Sequence, residues 1–283
     1  MKGGMHMALF LCALMLSLLF RAPLVMSAAS AACRLFVTAV LPGLFPYMVL
    51  SQMLVSRVKR LSPALVMLLG WGGGSPTGAR LACLGDFPSQ VRTRLMLTCA
   101  TMSPMFLLGT VGGWLDSPLA GAVCLGSSIV SGWVTGWVAT RRDPLSHPQA
   151  DASSPQGGAF GCLTFGEAVE SSARTMLLVC GTMVMLRVFA ALAAEILPGW
   201  AALPLTTLLE VTTGAAAIAK LPLPLMWRTA LLAGATGFGG MAILMQNRAV
   251  SQGVIPLGWQ ILWQAVHGGM AFVMALGIMY LIC

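Results

Sequence analysis

Charge is scarce in this chain. Asp, Glu, Lys and Arg make up 8% of its 283 residues, where an ordinary soluble domain carries about 25%. So few charges cannot cover a water-facing surface, which excludes a soluble globular domain. Histidine is scarcer still, with only His6, His147 and His267. The eight cysteines stand at 33, 83, 99, 124 and elsewhere, and contain no C-x-x-C pair. Ligand-like spacing is therefore missing, and neither a metal site nor a disulfide framework is expected. Cysteines inside apolar blocks read as small packing residues. No cofactor is called for beyond a coupling ion, H+ or Na+, whose identity the residues do not name.

What the chain has in excess is hydrocarbon. Hydrophobic residues account for 58% of it, in blocks of a length that crosses ~30 Å of lipid. The blocks are 7–27, 31–55, 61–83, 91–114, 117–139, 168–194, 201–221, 226–247 and 255–282. The expectation is an all-α polytopic membrane protein. Its net charge of +8 does not imply nucleic acid, because the basic residues sit mostly at block ends. There they set topology and meet anionic lipid.

The N-terminus resembles a secretory signal in Lys2, the run from Met7 to Phe20 and the small residues Ser27-Ala28-Ala29. Apolar sequence resumes after Arg21, so residues 1–30 are read as an uncleaved spanning helix or signal anchor. The only long polar stretch, 141–165, is rich in Pro, Ser, Gly and Asp and reads as an extramembrane linker. Arg57, Lys59 and Arg60 follow the second block, and Arg141 and Arg142 follow the fifth. The positive-inside rule makes both clusters cytoplasmic. An even number of crossings must then separate them, yet three blocks intervene. The block 61–83 is the one expected to enter and leave on the same side, because GWGGGSPTG breaks it. Broken backbone at membrane depth survives only when buried in protein or lining a cavity.

Sliding the chain by 136 residues aligns Thr77–Leu108 with Thr213–Leu244, with nine identities in 32 positions. Thr77-Gly78-Ala79 matches Thr213-Gly214-Ala215, and Arg92-Thr93 matches Arg228-Thr229. These polar or special residues are the ones an apolar bias explains least. Repeats are expected at 31–115 and 166–250, joined by a transmembrane helix at 116–140 and the linker, with a last helix at 251–283. The odd crossing between them inverts the second repeat. Inverted repeats with paired broken helices are a transporter signature, with the site between them near the midplane.

The candidate binding residues follow from this frame. Ser75, Thr77, Gly78 and Arg80 on one hairpin would face Glu210, Thr212, Thr213 and Gly214 on the other. Arg80 suits an anionic group through bidentate geometry. Glu210 suits a cationic or hydroxyl-bearing group, or a coupling proton. The alternative is that the two pair and merely lock the hairpins. Ser103-Pro104 and Gly239-Gly240 fall at equivalent repeat positions, where unwound carbonyls can coordinate a solute or a cation. A kink and close helix packing alone are the equal alternative there. Gln246 and Asn247 read as interfacial, and Arg34, Arg174 and Arg187 as snorkelling to headgroups. His267 reads as a satisfied helix histidine.

In order, LPGLFPYMVLSQML, GGGSPTGARL, TMSPMFLLGTVG, LLEVTTG and GFGGMAILMQ resemble the YlbJ-type sporulation integral membrane proteins over roughly 31–250. That family sits in the wider Gate, or nucleoside-recognition, domain group. A Gly-aromatic-Pro-x-Gly-Ala-basic pattern of the family lands on Gly74, Ser75, Pro76, Gly78, Ala79 and Arg80, with Ser75 in place of the aromatic. Its Glu-Val-Thr-x-Gly pattern lands on Glu210, Val211, Thr212 and Gly214. The resemblance implies a permease for dipicolinate, a small aromatic dianion, in the outer forespore membrane. A nucleoside permease or a non-transporting sporulation assembly protein are the alternatives. The expected partners are a small-molecule substrate, the lipid bilayer and a second copy in a homo-oligomer, with no nucleic acid. An enzyme is not expected, since Pro76 follows Ser75 and no motif brings His267 to it.

Overall fold

The computed structural model describes residues 2–141, 162–251 and 253–282. Of the described residues 84% are helical, and none lies in a strand. Most backbone polar groups are thus bonded within their own helices, as a hydrocarbon surround requires. Five stretches are long and apolar enough to cross a membrane: Ala22–Arg57, Pro118–Arg141, Phe165–Ala194, Leu225–Ser251 and Leu257–Ile282. This is an all-α, polytopic membrane architecture. Most of the 141–165 linker, with Arg142 and His147, lies outside the described residues.

The first two blocks divide elsewhere than the sequence suggests. Helix α1 (Lys2–Phe20) stops at Arg21, and α2 (Ala22–Leu35) continues through one π-helical turn, Phe36–Val40, into α3 (Leu41–Arg57). The expected boundary at residue 30 therefore falls inside continuous helix. Pro23 is the reason. It fits the first turn of a new helix but would clash in the interior of an old one. Arg21 is held there by Glu195, 3.1 Å away and just past the C-terminal end of the long helix Phe165–Ala194.

Four later blocks are interrupted. Helix α4 (Pro63–Gly73) starts at a Ser62 cap, whose hydroxyl accepts from the Leu65 N–H at 3.2 Å, and packs on α5 (Thr77–Leu84). After α6 (Ser89–Thr98), residues 99–104 leave the helix before a π-helical stretch, Met105–Val111, that runs into α7 (Gly112–Trp114). Helix α10 (Gly199–Leu209) packs on α11 (Val211–Ile218). Helices α12 (Leu225–Phe238) and α13 (Gly240–Ser251) meet at Gly239. Both α4 and α10 have eleven residues and begin 136 positions apart; α6 and α12 share only that spacing.

The intact spans are α8 (Pro118–Arg141), α9 (Phe165–Ala194) and α14 (Leu257–Ile282). A Thr164–Glu167 capping box starts α9. Helices α8, α12 and α14 pack together, with α6 against α8, while α9 runs along α2 and α3. The interrupted segments lie between these two groups. Small residues let the helices approach. A Cβ on Gly268 would come within 2.7 Å of the Gly234 carbonyl oxygen and 2.9 Å of the Phe238 nitrogen. In lipid such close packing replaces the hydrophobic drive between helices. Gly268→Ala should therefore lower the apparent melting temperature in detergent. Gly269→Ala, whose Cβ would meet nothing within 4 Å, should leave it within a degree or so of the parent; equal losses would remove the packing argument.

Candidate functional site

The interruptions converge. A cavity of about 40 Å³ is lined from the first half by Ser75, Met102, Ser103 and Phe106, and from the second by Glu210, Thr212 and Gln246. Val179 and Met183 of α9 and Val40 and Leu44 of the first span supply apolar wall. The volume takes water-sized groups; an aromatic ring would require the walls to move.

In the first half, the break after α4 is made by Gly74, at φ +63°, a region that L side chains avoid. Space also demands glycine, because a Cβ there would lie 2.5 Å from the Ser103 nitrogen. Ser75 donates its N–H to the Thr101 carbonyl at 2.7 Å. One break thus satisfies the other. In the second half, Gly239 and Gly240 both have positive φ. A Cβ on Gly240 would approach the Thr207 and Leu208 carbonyls and the Val211 nitrogen. Here too the two breaks in one half lie against each other.

Glu210 occupies the break between α10 and α11 and is fully buried. Its Oε1 accepts from the Thr212 N–H at 2.9 Å and its Oε2 from the Thr213 N–H at 2.7 Å. Both carboxylate oxygens therefore cap α11, whose N-terminal dipole favours their charge. The Arg80–Glu210 lock does not form. The ion pairs among the described residues are Arg21–Glu195 and Arg174–Glu170. Arg80 instead donates to Ser171 Oγ at 2.7 Å and Thr175 Oγ1 at 3.2 Å on α9. The backbone amides at the head of α11 already satisfy Glu210, so it needs no arginine.

The candidate residues separate by position. Ser75, Ser103, Glu210 and Thr212 share the cavity. Thr77 is buried with an unpartnered hydroxyl at the start of α5. Gly78 is a packing position, pressed against Cys99 and Gly70. Gly214 is another, since a Cβ would lie 2.5 Å from the Thr207 Cα. Gly239 and Gly240 shape the turn without lining the cavity. Thr213 faces a separate groove with Ser27, Ser30, Arg34 and Thr38. Its backbone, not its side chain, serves Glu210.

Gln246 and Asn247 are not interfacial. Both are buried. Gln246 lines the cavity and donates to Thr182 Oγ1 at 2.8 Å. Asn247 Nδ2 donates to Ser75 Oγ at 3.3 Å, and its Oδ1 has no partner. Two adjacent amides one turn before Ser251 looked like a helix end; tertiary packing turns them inward. His267 is elsewhere, with Nε2 2.9 Å from the Ser128 carbonyl oxygen between α8 and α14. No cluster of three metal-ligating side chains occurs among the described residues.

No family model, curated protein or solved structure matches this chain. The site must be judged on its own geometry.

Glu210→Gln leaves one N–H of α11 facing an NH2 group instead of an acceptor. The expected cost is about 1–3 kcal/mol, the range for an unsatisfied buried group. It should appear as a lower melting temperature and faster proteolysis near 210. A variant as stable as the parent would show that the cap is dispensable.

Proposed function

We propose that the chain is a secondary-transporter-like permease for a small polar solute, built from two inverted repeats whose broken helices enclose the solute near the membrane midplane. One observation carries the reading: helix interruptions from both halves meet on a single cavity holding Ser75, Ser103, Glu210, Thr212 and Gln246. Polar groups in hydrocarbon are costly and concentrate along solute paths. The matched length and spacing of α4 with α10, and the matched spacing of α6 with α12, support the repeat. An eleven-residue helix rises only about 16 Å, about half the hydrocarbon thickness, so α4 and α10 suit hairpins that return to their own side.

The resemblance to YlbJ-type proteins makes dipicolinate the first solute to try and the outer forespore membrane the first location. The chemistry supports a carboxylate-bearing solute in part. Ser75, Ser103, Thr212 and Gln246 offer hydrogen-bond donors, and both oxygens of Glu210 are already taken up by two backbone N–H groups. Arg80 stands beside the cavity and not in it.

Purified protein in proteoliposomes should take up labelled pyridine-2,6-dicarboxylate, and Gln246→Leu should reduce the rate at least roughly tenfold while remaining monodisperse, as expected for a transition-state loss of one polar contact. Uptake of labelled nucleosides instead would favour the nucleoside reading. Absence of uptake for all solutes in a folded protein would favour an assembly role. For the hairpin, single cysteines at positions 58 and 88 in a cysteine-free background should react from the same side of the membrane. Reaction from opposite sides would mean that α4 and α5 together cross it.

A further inference from the structure

Arg80 has a neighbourhood that a fixed strut does not require. On α9, Ser171, Thr175, Val179 and Met183 recur every four residues, so they share one face of the helix. Val179 and Met183 wall the cavity. Thr175 and Ser171, lying toward the N-terminal end of α9, receive the Arg80 guanidinium. At 1.5 Å per residue, the two hydroxyls sit about 6 and 12 Å beyond Val179 along that face. Arg80 thus stands between the cavity and the N-terminal end of α9. It belongs to α5, which begins directly after the break at Ser75 and Pro76.

Among the described residues, the charge on Arg80 is met by neutral oxygen alone. Both partners are hydroxyls, and the acid on the same turn of α9, Glu170, is bonded to Arg174 at 2.8 Å on the exposed face. The other acid near this end of α9, Glu167, accepts from Thr164. A guanidinium carries five N–H donors and matches a carboxylate bidentately, an arrangement stronger than bonds to hydroxyls. A carboxylate arriving at the cavity edge would therefore compete well for it.

We propose that Arg80 is a charge-selective gate: bonded to Ser171 and Thr175 it ties the α4–α5 hairpin to α9 and closes the cavity toward the N-terminal end of α9, and the carboxylate of an anionic solute draws it off. The proposal rests on the permease reading and names the solute charge that the reading leaves open. The latch is weak by design, since hydroxyls hold it and an anion outbids them. It also selects by charge, because a neutral or cationic solute gives Arg80 nothing in exchange for its two hydrogen bonds.

The test uses the full-length protein, cysteine-free except for Ser103→Cys in the cavity wall, in vesicles of each orientation. A membrane-impermeant thiol reagent reports access from each side. Ser171→Ala with Thr175→Val removes the latch and keeps the charge. Labelling from the side of the α9 N-terminus should rise by at least roughly tenfold, since the loss of even one of the two charged hydrogen bonds shifts an opening equilibrium by about that factor. Ser171→Thr with Thr175→Ser retains both hydroxyls and should label like the parent. Adding pyridine-2,6-dicarboxylate to the parent should raise labelling from that side, and adding a neutral nucleoside should not. Arg80→Gln should label fast with or without the dicarboxylate. Parental labelling in the Ala/Val variant overturns the latch. An opened Ala/Val variant with no response of the parent to the dicarboxylate overturns release by that anion. Labelling as expected in a protein that takes up no solute would keep the latch and remove the permease reading, so the two fail separately.

Discussion

A helix that stops inside a membrane leaves amide and carbonyl groups that neither water nor lipid can satisfy. The middle of this chain is organised around that constraint. In the first half, backbone answers backbone: the Ser75 N–H goes to the Thr101 carbonyl, so the break after α4 is satisfied by the break after α6. In the second half a side chain answers, with both oxygens of Glu210 on the first amides of α11. Each half must therefore hold its two interruptions close together, and Gly74 and Gly240 are the residues small enough to allow it.

Closing the two halves on each other then assembles the cavity. Asn247 of α13 reaches Ser75 across the halves, and Gln246 reaches Thr182 on α9. Gln52 of α3 donates to Ser172 of α9 at 2.8 Å. These bonds are worth only modest energies each, since the unfolded chain in a membrane also finds partners. Their effect is orientation. They turn amides and hydroxyls toward a shared interior and leave the lipid-facing surface to Leu, Val and Met.

Much of the fold was legible because its signals are local. Glycine and proline at 70–76 mark a broken helix wherever they stand, and the 136-residue repeat places Glu210 and the residues after it beside a second break. Four of the polar residues that line the cavity, Ser75, Ser103, Glu210 and Thr212, were singled out this way. The errors came from residues whose role depends on a distant neighbour. Gln246 looked like a helix end because nothing in its own helix shows that Thr182 lies opposite. Pairing of Arg80 with Glu210 stood as the alternative to binding because opposite charges in an apolar chain invite it. Sequence does not reveal that amides at positions 212 and 213 already satisfy that carboxylate.

The amino-acid sequence by itself determined that this is an all-helical membrane protein, where its helices break, and which residues are polar at those breaks. Composition, block length and backbone conformational limits decide such matters within a few turns of chain. Only the tertiary structure decided which breaks touch, which way each polar side chain turns, and that Arg80 meets the hydroxyls of Ser171 and Thr175 instead of an acid. Those outcomes depend on helix register and close approach between segments about a hundred residues apart, and no local propensity encodes them.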